Sequence, residues 1–137
     1  MNGSLKVVRS ERGGSDYWIT VAVVPRAEKA LQGALNEEEF NRLIDELAMH
    51  PEAGDRIPDS GGLRKLRAGC KGKGKSGGLR IVYFFYDLNM PLFVIAAYEK
   101  TKKVRYSETE LASMRSLVDE IVNEYAAKNR RKAGSAA

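Results

Sequence analysis

Hydrophobic and polar positions along this chain form a series of blocks, each with its own period. Residues 17–24 (Tyr-Trp-Ile-Thr-Val-Ala-Val-Val) are aromatic and β-branched and stop at Pro25, which predicts a strand. Pro25 suits the first position of a helix, and Ala27, Ala30, Leu31 and Ala34 follow on one face. A second helix is signposted by Asn36 as N-cap and Glu39 three residues on, with Phe40, Leu43, Ile44 and Leu47 at helical spacing, and it should end near His50-Pro51. A short strand is expected over residues 63–67, where Leu63 and Leu66 do not alternate and leave the register open. A loop over 69–78 leads into a strand over 79–86. The turn Asp87-Leu88-Asn89-Met90 then joins it to a strand over 91–98, an antiparallel hairpin. Last comes a helix opened by a Ser107/Glu110 capping box, with Leu111, Met114, Leu117, Val118, Ile121, Val122 and Tyr125 on one apolar face.

The order strand, two helices, three strands, helix predicts an α+β fold, an antiparallel sheet of about four strands packed by helices. The last helix is expected to cover one face of that sheet. Residues 1–16 and 128–137 mix Gly, Ser and charges without a period, so both are expected to be flexible, the second as a basic tail. One domain over 17–127 remains, in keeping with a chain of 137 residues.

Charge changes this picture because of where it sits. The formal net charge is +5, yet residues 61–80 hold seven basic side chains (Arg64, Lys65, Arg67, Lys71, Lys73, Lys75 and Arg80) and no acidic one. The rest of the chain carries 16 basic against 18 acidic residues, a net of −2. One segment therefore supplies the whole positive excess, which suits a phosphate backbone better than a merely solvated loop. The longest apolar runs, 81–86 and 92–98, are too short to span a bilayer, and no signal-peptide pattern opens the chain. A lone Cys70 excludes an internal disulfide and a multi-cysteine metal site. A cytoplasmic protein with no membrane partner is expected.

The segment from Gly69 to Ser76 matches the spacing of a phosphate-binding P-loop, but such a loop works by aiming the start of a helix at the phosphates. Here the continuation, Leu79-Arg80-Ile81-Val82-Tyr83-Phe84, is strand-like, so no helix can begin there. The dinucleotide-type spacing of Gly72, Gly74 and Gly77 fails for the same reason. What survives is a loop that alternates lysine with glycine, letting backbone and ammonium groups approach phosphates closely. His50 is the single histidine, so no histidine acid/base pair exists, and its place at a helix end favours a capping role. No carboxylate grouping suggests a metal, and Cys70 lacks an evident catalytic partner. The strand aromatics, Trp18 included, read as core, whereas Tyr106 falls in a polar stretch.

Gly61-Gly62-Leu63-Arg64-Lys65-Leu66-Arg67, followed by Gly-Lys-Gly-Lys-Ser-Gly-Gly-Leu-Arg-Ile-Val-Tyr-Phe from Gly72 to Phe84, resembles the core of the HigB branch of RelE-like toxins. In that family a Gly-Gly-x-Arg-Lys-x-Arg strand leads into a basic loop and then a Gly-Gly-x-Arg-hydrophobic-hydrophobic-Tyr strand. The likeness continues through Leu92 to Lys100 and the last helix, over residues 17–127. It implies the toxin of a type II toxin–antitoxin pair, which cuts mRNA in the ribosomal A site with the ribose 2′-hydroxyl as nucleophile and with no metal or cofactor. A cognate antitoxin of helix-turn-helix type is the implied partner.

By the same resemblance, Arg80 stabilises charge on the scissile phosphate. Lys71, Lys73 and Lys75 correspond to the family's loop lysines, one of which serves as base or charge partner. Lys100 matches a basic residue after the last strand, and Tyr106 a stacking or proton-transfer tyrosine. Arg64, Lys65, Arg67, Lys71, Lys73 and Lys75 are the expected RNA-binding set. Two other readings of the basic strip stay open: a non-catalytic RNA- or DNA-binding module, and a protein that binds an antitoxin but has lost catalysis.

Overall fold

The computed structural model describes residues 6–8, 19–69, 78–88, 90–99 and 106–136. The elements run β1 (Lys6–Val8), β2 (Val21–Val23), α1 (Pro25–Ala34), α2 (Glu37–Met49), β3 (Asp55–Arg56), β4 (Leu63–Ala68), β5 (Leu79–Phe84), β6 (Leu92–Glu99) and α3 (Glu108–Ala136). The chain divides into two compact units, residues 1–105 and 106–137. The first holds the whole sheet with α1 and α2, the second α3.

The fold is α+β, and the expected order β-α-α-β-β-β-α is present with two additions. The sheet has six strands in the order β1-β2-β6-β5-β4-β3, against the expected four. Both additions are edge strands too short for a hydrophobic period to reveal: β1 has three residues and β3 two. β1 lies inside the segment expected to be flexible, paired antiparallel with β2 from Lys6↔Val23 to Val8↔Val21. The sheet is also mixed, because β2 lies parallel to β6 through Val21↔Leu92, Ala22↔Phe93 and Val23↔Val94. The chain leaves β2 through α1 and α2 and returns from the far edge of the sheet, so its last strand arrives beside β2 in the same direction.

α1 starts at Pro25, whose missing N–H would have had no helical partner at that position. α2 opens with the expected capping box: Asn36 Oδ1 accepts from the Glu39 amide at 2.8 Å and Glu39 Oε1 accepts from the Asn36 amide at 3.0 Å. His50 closes it, donating its backbone N–H to the Glu46 carbonyl at 2.8 Å. Asn36→Ala strips one half of that box, and a stability loss of about 1 kcal/mol is expected in urea denaturation. α1 packs against β6 and α2 reaches β2, burying Leu31, Leu43, Ile44 and Leu47.

α3 begins with the expected box, Glu110 N–H to Ser107 Oγ at 3.2 Å and Ser107 N–H to Glu110 Oε1 at 3.0 Å. Met114, Val118 and Ile121, spaced four and three apart, are its buried positions. It runs on to Ala136, through the segment expected to be a flexible tail. Residues 126–133 are mostly Ala, Lys and Arg, strong helix formers uninterrupted until Gly134, so nothing in the backbone ends the helix sooner. No helix among the described residues is long and apolar enough to cross a membrane.

The hairpin of β5 and β6 forms the middle of the sheet, and all six residues of β5 are buried. β4 pairs antiparallel with β5 from Leu63↔Phe84 to Ala68↔Leu79. This register explains why Leu63 and Leu66 do not alternate. They lie on opposite faces of the strand, and both are buried.

A candidate phosphate-binding row on the sheet

Residues paired directly across antiparallel strands project from the same face. Arg67 on β4 is opposite Arg80 on β5, and Arg80 is opposite Tyr98 on β6. Three strands thus present Arg67, Arg80 and Tyr98 side by side, with Lys65 two residues along β4 on the same face. Neighbouring strands are about 4.8 Å apart, so the row spans about 10 Å between its outer members.

Its centre is chemically unusual. Arg80 keeps only 6% of its surface exposed, and its Nη1 is buried with no hydrogen-bond partner. The other buried polar side chain among the described residues, Ser60, is satisfied: its hydroxyl donates to the Ile57 carbonyl at 2.6 Å and accepts from the Leu63 amide at 3.0 Å. A buried guanidinium nitrogen without an acceptor is costly, and arginine does not neutralise itself on burial as lysine can. Arg67 directly opposite adds like-charge repulsion. The nearest carboxylate along the ladder, Glu99, pairs with Leu79 and so projects from the other face. Every term in this row is relieved by an anion.

Arg64, expected to bind RNA, belongs to the other face. Its Nη1 donates to the Gly54 carbonyl at 2.8 Å and to the Glu52 carbonyl at 3.2 Å. Its cross-strand partner Tyr83 is fully buried. The Tyr83 hydroxyl accepts from the Gly54 amide at 2.8 Å and donates to the Pro51 carbonyl at 2.9 Å. Burial pushes the Tyr83 phenol above its usual range, which keeps it a donor. Arg64 and Tyr83 together pin the chain leaving α2 to the sheet. Arg64→Ala is accordingly expected to cost about 1 kcal/mol through the carbonyls it abandons. Arg67→Ala, at an exposed position, should stay within about 0.5 kcal/mol. Paired urea titrations check the contrast.

Of the other expected site residues, Lys71, Lys73, Lys75 and Lys100 lie outside the described residues, as does Cys70. Tyr106 precedes α3 in the second unit and is half-buried. Tyr98 was not among the expected site residues, since a strand aromatic reads as core. Only its register against Arg80 singles it out. Among the described residues no group of three or more His, Cys, Asp or Glu could hold a metal ion.

No family model matches the chain. Among solved structures it is similar to the E. coli toxin RelE, a double arginine-to-alanine mutant in the free state. That likeness has 19% identity and a TM-score of 0.48, and covers 73% of this chain and 95% of that one.

Proposed function

We propose that the chain is the toxin of a type II toxin–antitoxin pair, of the HigB branch of RelE-like toxins, and that it cuts mRNA in the ribosomal A site. The observation that carries this reading is Arg80, a buried cation with an unpartnered Nη1 at the centre of a basic row. The acid-free basic segment 61–80 and the sequence motifs within it support the same reading.

The chemistry is a transesterification within the RNA. The ribose 2′-oxygen attacks the adjacent phosphorus while its proton passes to a base. The bond from phosphorus to the 5′-oxygen breaks, leaving a 2′,3′-cyclic phosphate and a 5′-hydroxyl that takes up a proton. Negative charge accumulates on the phosphoryl oxygens as the fifth bond forms. Arg80, fixed on a central strand and shielded from water, is preorganised to meet that charge, and in such a setting a cation is worth far more than in solvent. Lys65 and Arg67 hold the flanking backbone. The base and the acid are drawn from Lys71, Lys73, Lys100 and Tyr106. No step calls for a metal or cofactor. The setting is the cytoplasm, where a cognate antitoxin of helix-turn-helix type neutralises the toxin.

Expression in bacteria followed by primer extension tests this reading. Growth arrest is expected, with transcripts cut inside codons only where they are translated. Binding to RNA without any such cuts would instead identify a non-catalytic module, whose affinity would fall stepwise with each Lys→Ala change and show a correspondingly weaker salt dependence.

A further inference from the structure

We infer that Arg67 and Arg80 form one two-cation site matched to a phosphoryl group that carries two negative charges, so that Arg67 acts on the reacting phosphate as well as on the flanking backbone. The inference rests on the phosphate-binding reading of the row, and adds to it the charge of the group that the row holds best.

Charge matching along the ladder comes first. β3 pairs with β4 through two residues, Asp55↔Lys65 and Arg56↔Arg64. Asp55 and Lys65 are directly opposed on the face that carries the row, so the Lys65 charge has an opposite one beside it. Arg67 lies two residues further along β4, past the last pair made with β3, and the residue opposite it is Arg80. The excess charge of this face is thus concentrated in two guanidinium groups that face each other.

Burial supplies the second argument. Arg80 keeps only 6% of its surface exposed and its Nη1 has no hydrogen-bond partner, whereas Arg67 is exposed. One cation is held within the sheet, and the other closes on the same anion from the neighbouring strand, about 4.8 Å away. The chemistry supplies the third. A phosphodiester carries one negative charge, which leaves the pair with an excess of one. As the 2′-oxygen gives up its proton and bonds to phosphorus, the five-bonded phosphoryl group carries two, and the pair is balanced. Repulsion between the guanidinium groups therefore persists in the bound substrate and is relieved in the transition state, where binding energy accelerates a reaction.

The test titrates the full-length protein with methyl phosphate, doubly charged at about pH 8, and with dimethyl phosphate, which bears a single charge. Binding is followed by NMR in low-salt buffer, with a thermal melt as a fold control. A cation about 4 Å from the anion is worth about a factor of five per unit of ligand charge even in water, so the parent should prefer methyl phosphate by about thirtyfold. Arg67→Gln should reduce that preference to about fivefold at an unchanged melting temperature. Arg56→Gln, which removes an exposed charge from the other face, should leave the preference at the parental value. A parent that binds the two esters equally well would overturn the assignment. So would a preference that survives in Arg67→Gln, or one that falls as far in Arg56→Gln. Neither ester needs a ribosome, so the two readings fail separately. A parent that shows the preference but cuts no mRNA would support the two-cation site and sink the ribonuclease reading alone, and one that cuts mRNA without the preference would do the reverse.

Discussion

Under the proposed function, Arg80→Met is expected to slow ribosome-dependent mRNA cleavage by about 10²–10³-fold, the usual consequence of deleting a preorganised group that meets charge in a transition state. Methionine matches the length of the arginine stem and is at home in irregular apolar surroundings, so β5 should keep its place. Arg80→Lys is the sharper comparison. It restores a positive charge but replaces a planar fork by a single ammonium, which cannot offer two parallel donors to a phosphate. Cleavage should recover only in part. The readout is primer extension on a translated transcript, with toxicity in bacteria as a coarser one. Full activity in Arg80→Met would remove Arg80 from the chemistry.

The second large effect concerns the other face of the sheet. A Cβ added at Gly54 would meet Tyr83 Cε1 and Oη at 2.8 Å each and the Lys65 carbonyl oxygen at 3.0 Å. None of these can yield cheaply. The Tyr83 hydroxyl is held between the Gly54 amide and the Pro51 carbonyl, and the Lys65 carbonyl belongs to the ladder of β4. Gly54→Ala should therefore cost about 3 kcal/mol, the upper part of the range for overpacking a filled site. A fall in melting temperature of about 10 °C is expected for a chain of this size. A shift of about 2 °C or less would mean that the chain leaving α2 is not pinned to the sheet in this way. Cleavage per folded molecule should be unchanged, which separates this face from the one that carries Arg80.

How much of this was legible in the sequence depends on what each feature rests on. α2 and the start of α3 were readable because Asn36/Glu39 and Ser107/Glu110 are local signals, complete within four residues. The hairpin of β5 and β6 was readable from two apolar runs around a turn. β1 and β3 were not, because strands of two or three residues carry no period and exist only through their partners. Arg64 shows a different gap. It stands next to Lys65 in a basic run, but adjacent residues on a strand point to opposite faces, and only the pairing Arg64↔Tyr83 reveals that it ties down a loop.

Tyr98 is the most instructive case. Carried on unbroken from Phe84↔Phe93 and Tyr83↔Val94, the ladder would place Ala97 opposite Arg80. The irregularity at Val82/Tyr83 leaves Ile95 unpaired and advances the register by one residue, so that Ala96 meets Val82 and Tyr98 meets Arg80. A bulge of one residue thus decides whether the buried arginine faces a methyl group or a phenol. Nothing in the pattern of hydrophobic positions announces it. Arg80 itself was singled out in sequence by the basic segment it closes and by the resemblance of that segment to RelE-like toxins. The burial of its Nη1 without a partner became visible only with the three strands assembled around it.

The central claim is that Arg80 is buried for the sake of an anion and not for the sake of the fold. The most direct test compares the unfolding free energy of the parent and of Arg80→Met in low-salt buffer as inorganic phosphate is added. Without phosphate, Arg80→Met should be the more stable by about 1–2 kcal/mol, because a buried guanidinium whose Nη1 has no hydrogen-bond partner has been replaced by an apolar side chain. Added phosphate should then stabilise the parent and not the variant, closing the gap. A variant less stable than the parent even without phosphate, with the difference indifferent to the anion, would contradict the account and make Arg80 a structural residue.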